Sequence, residues 1–103
     1  MYFGDYAPVF EEDYEQMGIT GVNIYPVPIL GSSTFTVDLT LGVSQNYVVL
    51  VTNYLGQPIP GMSQSGVGQS ASLNFTLPGV SPGNYIVHII ADYDALQQTI
   101  VVQ

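Results

Sequence analysis

Few side chains in this sequence can do covalent or acid–base chemistry. His88 is the single histidine, and there is no Cys, no Lys and no Arg. Any Ser-His-Asp arrangement would have to be built on His88. That residue stands between Ile86 and Ile90 on its own face of an apolar run. A lone His in that setting reads as packed or hydrogen-bonded, because catalysis needs a nucleophile, a base and an orienting group to converge. No residue is assigned a catalytic role, and no cofactor is called for. Asp92 and Asp94 flank Tyr93. With backbone carbonyls they could hold Ca²⁺, a hard cation that takes several oxygens. They stand as metal-ligand candidates, although turn chemistry explains the pair adequately. The run Glu11-Glu12-Asp13-Tyr14-Glu15 is a second cation candidate, and a solvated acidic face accounts for it better. Asn74-Phe75-Thr76 fits the N-glycosylation sequon, with Asn74 pointing outward from its strand. Gly61 to Gln69 is Gly-rich but has no Lys and no helical pattern after it, which argues against a phosphate cradle.

The elements that must carry these residues are strands. The C-terminal third reads as three of them: Ser70 to Leu77, Asn84 to Asp92 and Leu96 to Val102, joined by turns at Pro82-Gly83-Asn84 and Tyr93-Asp94-Ala95. Upstream, Val22-Asn23-Ile24-Tyr25 forms a short strand stopped by Pro26-Val27-Pro28. Ser33 to Leu41 has the clearest period of two, with Phe35, Val37, Leu39 and Leu41 on one face. Asn46 to Asn53 is apolar on both faces and should be central. Tyr54-Leu55-Gly56-Gln57 is a hairpin turn, Pro58-Ile59-Pro60 an edge segment, and Gly61 to Gln69 a flexible loop. No segment of useful length has a helical period. The expected fold is all-β: a small antiparallel β-sandwich of about seven short strands. Residues 21–103 form the sandwich domain, and residues 1–20 an extended N-terminal arm.

The chain has 103 residues, with eight Asp and Glu and a formal net charge of −8. The fold must rest on apolar burial and backbone ladders. Nucleic acid is excluded as a partner, since phosphate binding needs Lys or Arg. No apolar run is long enough for a transmembrane segment. Met1 to Gln16 holds five of the eight acids, together with Tyr2, Phe3, Tyr6, Phe10 and Tyr14.

An ordered set of motifs carries a family resemblance. It runs from Tyr25-Pro26-Val27-Pro28 through Tyr54-Leu55-Gly56-Gln57-Pro58-Ile59 to Leu77-Pro78-Gly79-Val80-Ser81-Pro82-Gly83-Asn84-Tyr85-Ile86-Val87, and ends in Thr99-Ile100-Val101-Val102-Gln103. This resembles the C-terminal sorting domain of the type IX secretion system over Gly21 to Gln103. Val27 stands where that family prefers Asn, Asn53 and Tyr54 stand near its usual Asp, and Gln97 and Gln98 replace its usual basic residues. The resemblance implies an immunoglobulin-like β-sandwich, the secretion machinery as partner, an outer-membrane route and an extracellular or cell-surface destination.

A sorting domain normally ends a much larger cargo, whereas 20 residues precede Gly21. If the chain is complete, the sandwich itself is the product. The expectation is then a non-enzymatic extracellular structural subunit. It self-assembles as a homo-oligomer or polymer, a filament or surface layer, through the arm. Tyr2, Phe3, Tyr6, Val9 and Phe10 are the subunit-contact candidates, adding as a strand to a neighbour's sheet edge. The arm folding back on its own sandwich carries equal weight. The alternative is a type IX sorting domain separated from its cargo. A weaker alternative is a glycan- or calcium-binding module.

Overall fold

The computed structural model describes residues 17–29 and 33–103. Five antiparallel strands follow one another: β1 (Ile19–Tyr25), β2 (Thr34–Asn53), β3 (Pro58–Thr76), β4 (Gly83–Ala91) and β5 (Ala95–Val102). They form a single sheet in the order β1-β2-β4-β5, with β3 on the other side of β2. The first half of β2 lies between β1 and β3, and its second half between β4 and β3.

Two of these strands are far longer than the period-two runs suggest. β2 joins the segments expected at Ser33 to Leu41 and Asn46 to Asn53. Phe35, Val37, Leu39 and Leu41 are buried, and so are Gln45, Tyr47, Val49 and Val51. The inward parity therefore never changes, and residues 41–44 form a bulge rather than a break: Thr40 pairs with Ser70 and Gln45 with Gly68, leaving Gln69 alone opposite them. A second irregularity compensates further on, where residues 59–62 of β3 lie opposite Val51 alone. Gly61 takes a positive φ of 77° there, a conformation that favours glycine. Bulges of this kind bend a strand and increase its twist, so one continuous sheet curls into a half-barrel.

Among the described residues the strands number five rather than about seven, and the flexible loop expected at Gly61 to Gln69 is the middle of β3. The glycines there serve packing. A Cβ at Gly66 would come within 2.6 Å of the Tyr47 hydroxyl, so glycine lets the Tyr47 ring lie across β3.

The inward side chains of all five strands form one core, which includes Ile24, Phe35, Leu39, Val87, Ile89 and Ile100. Phe35 pairs directly with Phe75, and their rings stack with centroids 5.5 Å apart. Such pairs contribute roughly 0.5–1.5 kcal/mol beyond their area burial. The curl is closed at one corner by Ile29, which is fully buried and bridges Val102 in parallel. Its N–H donates to Val101 O at 3.0 Å, and its carbonyl accepts from Gln103 N–H at 2.7 Å. The last residue is therefore tied into the sheet.

Candidate functional site

The two ends of strand β4 carry different polar machinery. At its C-terminal end, the Asp92-Tyr93-Asp94 turn fastens the start of the domain. Asp92 Oδ2 accepts from both the backbone and the side-chain amide of Asn46, each at 3.0 Å. Asp94 Oδ2 accepts from Ile19 N–H at 3.1 Å, and its Oδ1 from Ala95 N–H at 2.8 Å. Gly18 packs so closely on Asp94 that an added Cβ would meet it at 2.7 Å. Gln45, a buried side chain, completes the clasp. Its Nε2 donates to the carbonyls of Met17 and Val43, and its Oε1 accepts from Tyr93 N–H at 3.1 Å. Both metal-ligand candidates thus have carboxylate oxygens engaged by N–H donors. No group of three or more His, Cys, Asp or Glu gathers among the described residues.

At the other end of β4 lie two turns. In the β2–β3 hairpin, Asn53 Oδ1 accepts from Leu55 N–H at 2.8 Å and Gln57 N–H at 2.9 Å. Its Nδ2 donates to Gln57 Oε1 at 2.8 Å, and Gly56 supplies a φ of 87°. This is an Asx-type turn, in which a side-chain oxygen takes over backbone donors. The tip leaves Tyr54 and Leu55 72% and 76% exposed, the most exposed large apolar side chains described. In the β3–β4 connection, the Tyr85 ring is buried and its hydroxyl donates to Ser81 O at 2.6 Å, which folds Ser81 to Gly83 against it. The two turns together line an open depression of about 530 Å³ between Tyr54, Leu55, Pro82, Asn84 and Tyr85.

The comparison with known families matches secretion system C-terminal sorting domains over residues 23–103. The chain belongs to the type IX C-terminal sorting domain family. No curated protein matches it. The match runs from within β1 to the last residue, so it takes in both turns that line the depression. For its members, the family implies contact with the secretion machinery and a secreted or cell-surface location. In this sorting domain the Asn53 side-chain oxygen alone accepts from both turn N–H groups.

The remaining sequence-derived residues are dispersed over the sorting domain. Asn74 is exposed on β3, where its Oδ1 accepts from Thr36 Oγ1 at 2.8 Å. His88 is half-buried and shares a 2.8 Å hydrogen bond with Thr52 Oγ1. Tyr2, Phe3, Tyr6, Val9 and Phe10 lie outside the described residues. Tyr25 donates to Asp38 Oδ2 at 2.8 Å. That bond to the carboxylate, with some desolvation and the Asp38 charge, raises the phenol above its ordinary 10.0. No described helix is long and apolar enough to cross a membrane.

Gln45 was not singled out from sequence, and neither was the Tyr85–Ser81 contact. A signal for Gln45 exists: it is a polar residue at an inward, odd-numbered position of an otherwise apolar stripe. A polar group in that register needs partners.

Proposed function

We propose that this chain carries a non-enzymatic C-terminal sorting domain, which directs the polypeptide attached before it through a type IX secretion system to the cell surface or exterior. The observation that carries the reading is the family match over residues 23–103. The site geometry supports it. The chain enters at the clasp of Met17, Gln45 and Asp94, and the motif-bearing turns lie at the opposite end of β4. The nine residues of β4 separate these ends by about 26 Å at the ordinary strand rise. An attached cargo can then leave the turn surface open to the machinery. The chemistry inventory, with one His and no Cys or Lys, supports a role in recognition rather than catalysis. Assembly into filaments through residues 1–16 has no comparable support, since those residues lie outside the described ones, and it gives way to the sorting reading.

The test is a reporter carrying this chain at its C-terminus, expressed in a type IX-competent host and in a secretion-deficient derivative. The reporter should reach the surface or medium only in the first. Periplasmic retention in both, with the fusion folded, would overturn the assignment.

A further inference from the structure

The end of the domain that carries the two turns is also where a third segment arrives. Ile29 bridges Val102, Val102 pairs with Gly83, and Tyr85 of the same strand pairs with Asn53. This chain of neighbours brings Pro26-Val27-Pro28 to the end of the sheet that holds the depression beside Tyr54 and Leu55. Val27 is 56% exposed, and Tyr54 and Leu55 are more exposed still. Segments far apart in sequence thus present apolar side chains at one end.

The same end carries no charged side chain. Residues 26–29, 53–58 and 76–84 hold no Asp, Glu or His, in a chain of net charge −8. Among the described residues the acids stand elsewhere: Asp92 and Asp94 follow the far end of β4, and Asp38 lies within β2, held by the Tyr25 hydroxyl. A turn left to solvent ordinarily draws on Gly, Pro, Asn, Asp and Ser, whereas the tip of this one is Tyr and Leu. Loss of charge together with exposed aromatic side chains marks the centre of a protein–protein contact. The tip is also held in one geometry. Asn53 Oδ1 accepts from Leu55 and Gln57 N–H, and Asn53 Nδ2 donates to Gln57 Oε1. Anchors fixed before contact lower the ordering cost of binding. Exposure alone does not make such a surface: Val67 is 70% exposed in the middle of β3, but it stands between Gly66 and Gly68 with no apolar neighbour in sequence.

We propose that Tyr54 and Leu55 are the anchors by which this sorting domain docks on the type IX machinery, entering an uncharged, apolar hollow of the partner. The inference rests on the sorting reading and goes beyond it by naming the contact side chains and the chemistry of the surface they fit. The depression of about 530 Å³ beside the tip receives a partner side chain in return.

The test uses the reporter fused ahead of the full chain in the type IX-competent host. Tyr54→Ser/Leu55→Ser should lower the exported reporter about tenfold or more, as loss of interface anchors does. Tyr54→Phe/Leu55→Met keeps both apolar bodies and should export close to the parent. Leu55→Glu puts a charge into the contact and should block export by itself. Val67→Ser removes a similarly exposed apolar side chain elsewhere and should export like the parent. The purified serine and glutamate variants should keep the parent's urea midpoint, since neither tip side chain is buried. Retention of the parent reporter would overturn the sorting reading and this inference together. Export of the parent and of the serine and glutamate variants alike would overturn the inference alone. A parent chain that dimerises in solution and becomes monomeric with the serine pair would give this end to a second copy instead.

Discussion

Replacing Gln45 with Leu removes the clasp while keeping nearly the same volume. Gln45 is 4% exposed. Its side chain makes two donations, to Met17 and Val43 carbonyls, and accepts one from Tyr93 N–H. Each hydrogen bond is worth about 1 kcal/mol net, with a further penalty where a group is left without water. Three bonds give about 3 kcal/mol, and partial access of solvent to Met17 and Val43 brings the expected loss to about 2–3 kcal/mol. For a domain of this size, that lowers the melting temperature by roughly 10–20 °C. Urea unfolding should show an earlier midpoint with an unchanged slope, because the surface exposed on unfolding is the same. Gln45→Glu separates the roles. It keeps an acceptor for Tyr93 but sets a carboxylate against two carbonyls at neutral pH, and it regains a donor when protonated in acid. It should therefore be as unstable as Gln45→Leu at neutral pH and recover as the pH falls. A Gln45→Leu protein within about 0.5 kcal/mol of the parent would refute the claim that this side chain fastens the start of the domain to the β4–β5 turn.

Two further outcomes follow from the same geometry. Asn53→Ala removes the acceptor for Leu55 and Gln57 and should cost about 1–2 kcal/mol in urea unfolding, whereas Asn53→Asp keeps that oxygen and should cost less than half as much. Tyr25 should ionise above ordinary tyrosine in an ultraviolet titration, and Asp38→Asn should bring it back. Because the folded value is raised, the Tyr25–Asp38 bond contributes fully below pH 10.0 and is lost as the pH climbs through the folded value. An unchanged titration in Asp38→Asn would show that the raised value has another source.

Much of the fold was legible in the residue pattern, and the misreadings share one cause. Phe35, Val37, Leu39 and Leu41 marked an inward face, whereas Asn46 to Asn53 read as apolar on both faces, and the structure buries Tyr47, Val49 and Val51 of it. Gly42-Val43-Ser44 between them looked like a break. A bulge and a turn draw on similar residues, and only the register with β3 distinguishes them. Gly61 to Gln69 was misjudged in the same way. Gly and Ser have low strand propensity, but the ladder to β2 and the ring of Tyr47 over Gly66 override it. At the site, the Asn53 to Gln57 turn and the Pro82-Gly83-Asn84 turn were readable from turn chemistry. Their meeting at one depression was not, because it depends on β2 and β4 being neighbours.

The absence of basic residues shapes how such a domain can hold together. With no Lys or Arg, the carboxylates among the described residues are held by N–H and O–H donors. Asp38 accepts from the Tyr25 hydroxyl, Asp92 from Asn46, and Asp94 from Ile19 and Ala95. Each of these three acids thus ties two strands, or a strand and the incoming chain, through a directional bond rather than an ion pair. Exposed ion pairs weaken with salt, whereas a carboxylate capped by backbone N–H depends on the fold being formed. The stability that Asp92 and Asp94 supply is therefore conditional on β2, the β4–β5 turn and residues 18–19 being in place together. Pulling the chain away at Met17 would remove the Ile19 donor of Asp94 and leave the Ala95 donor in place.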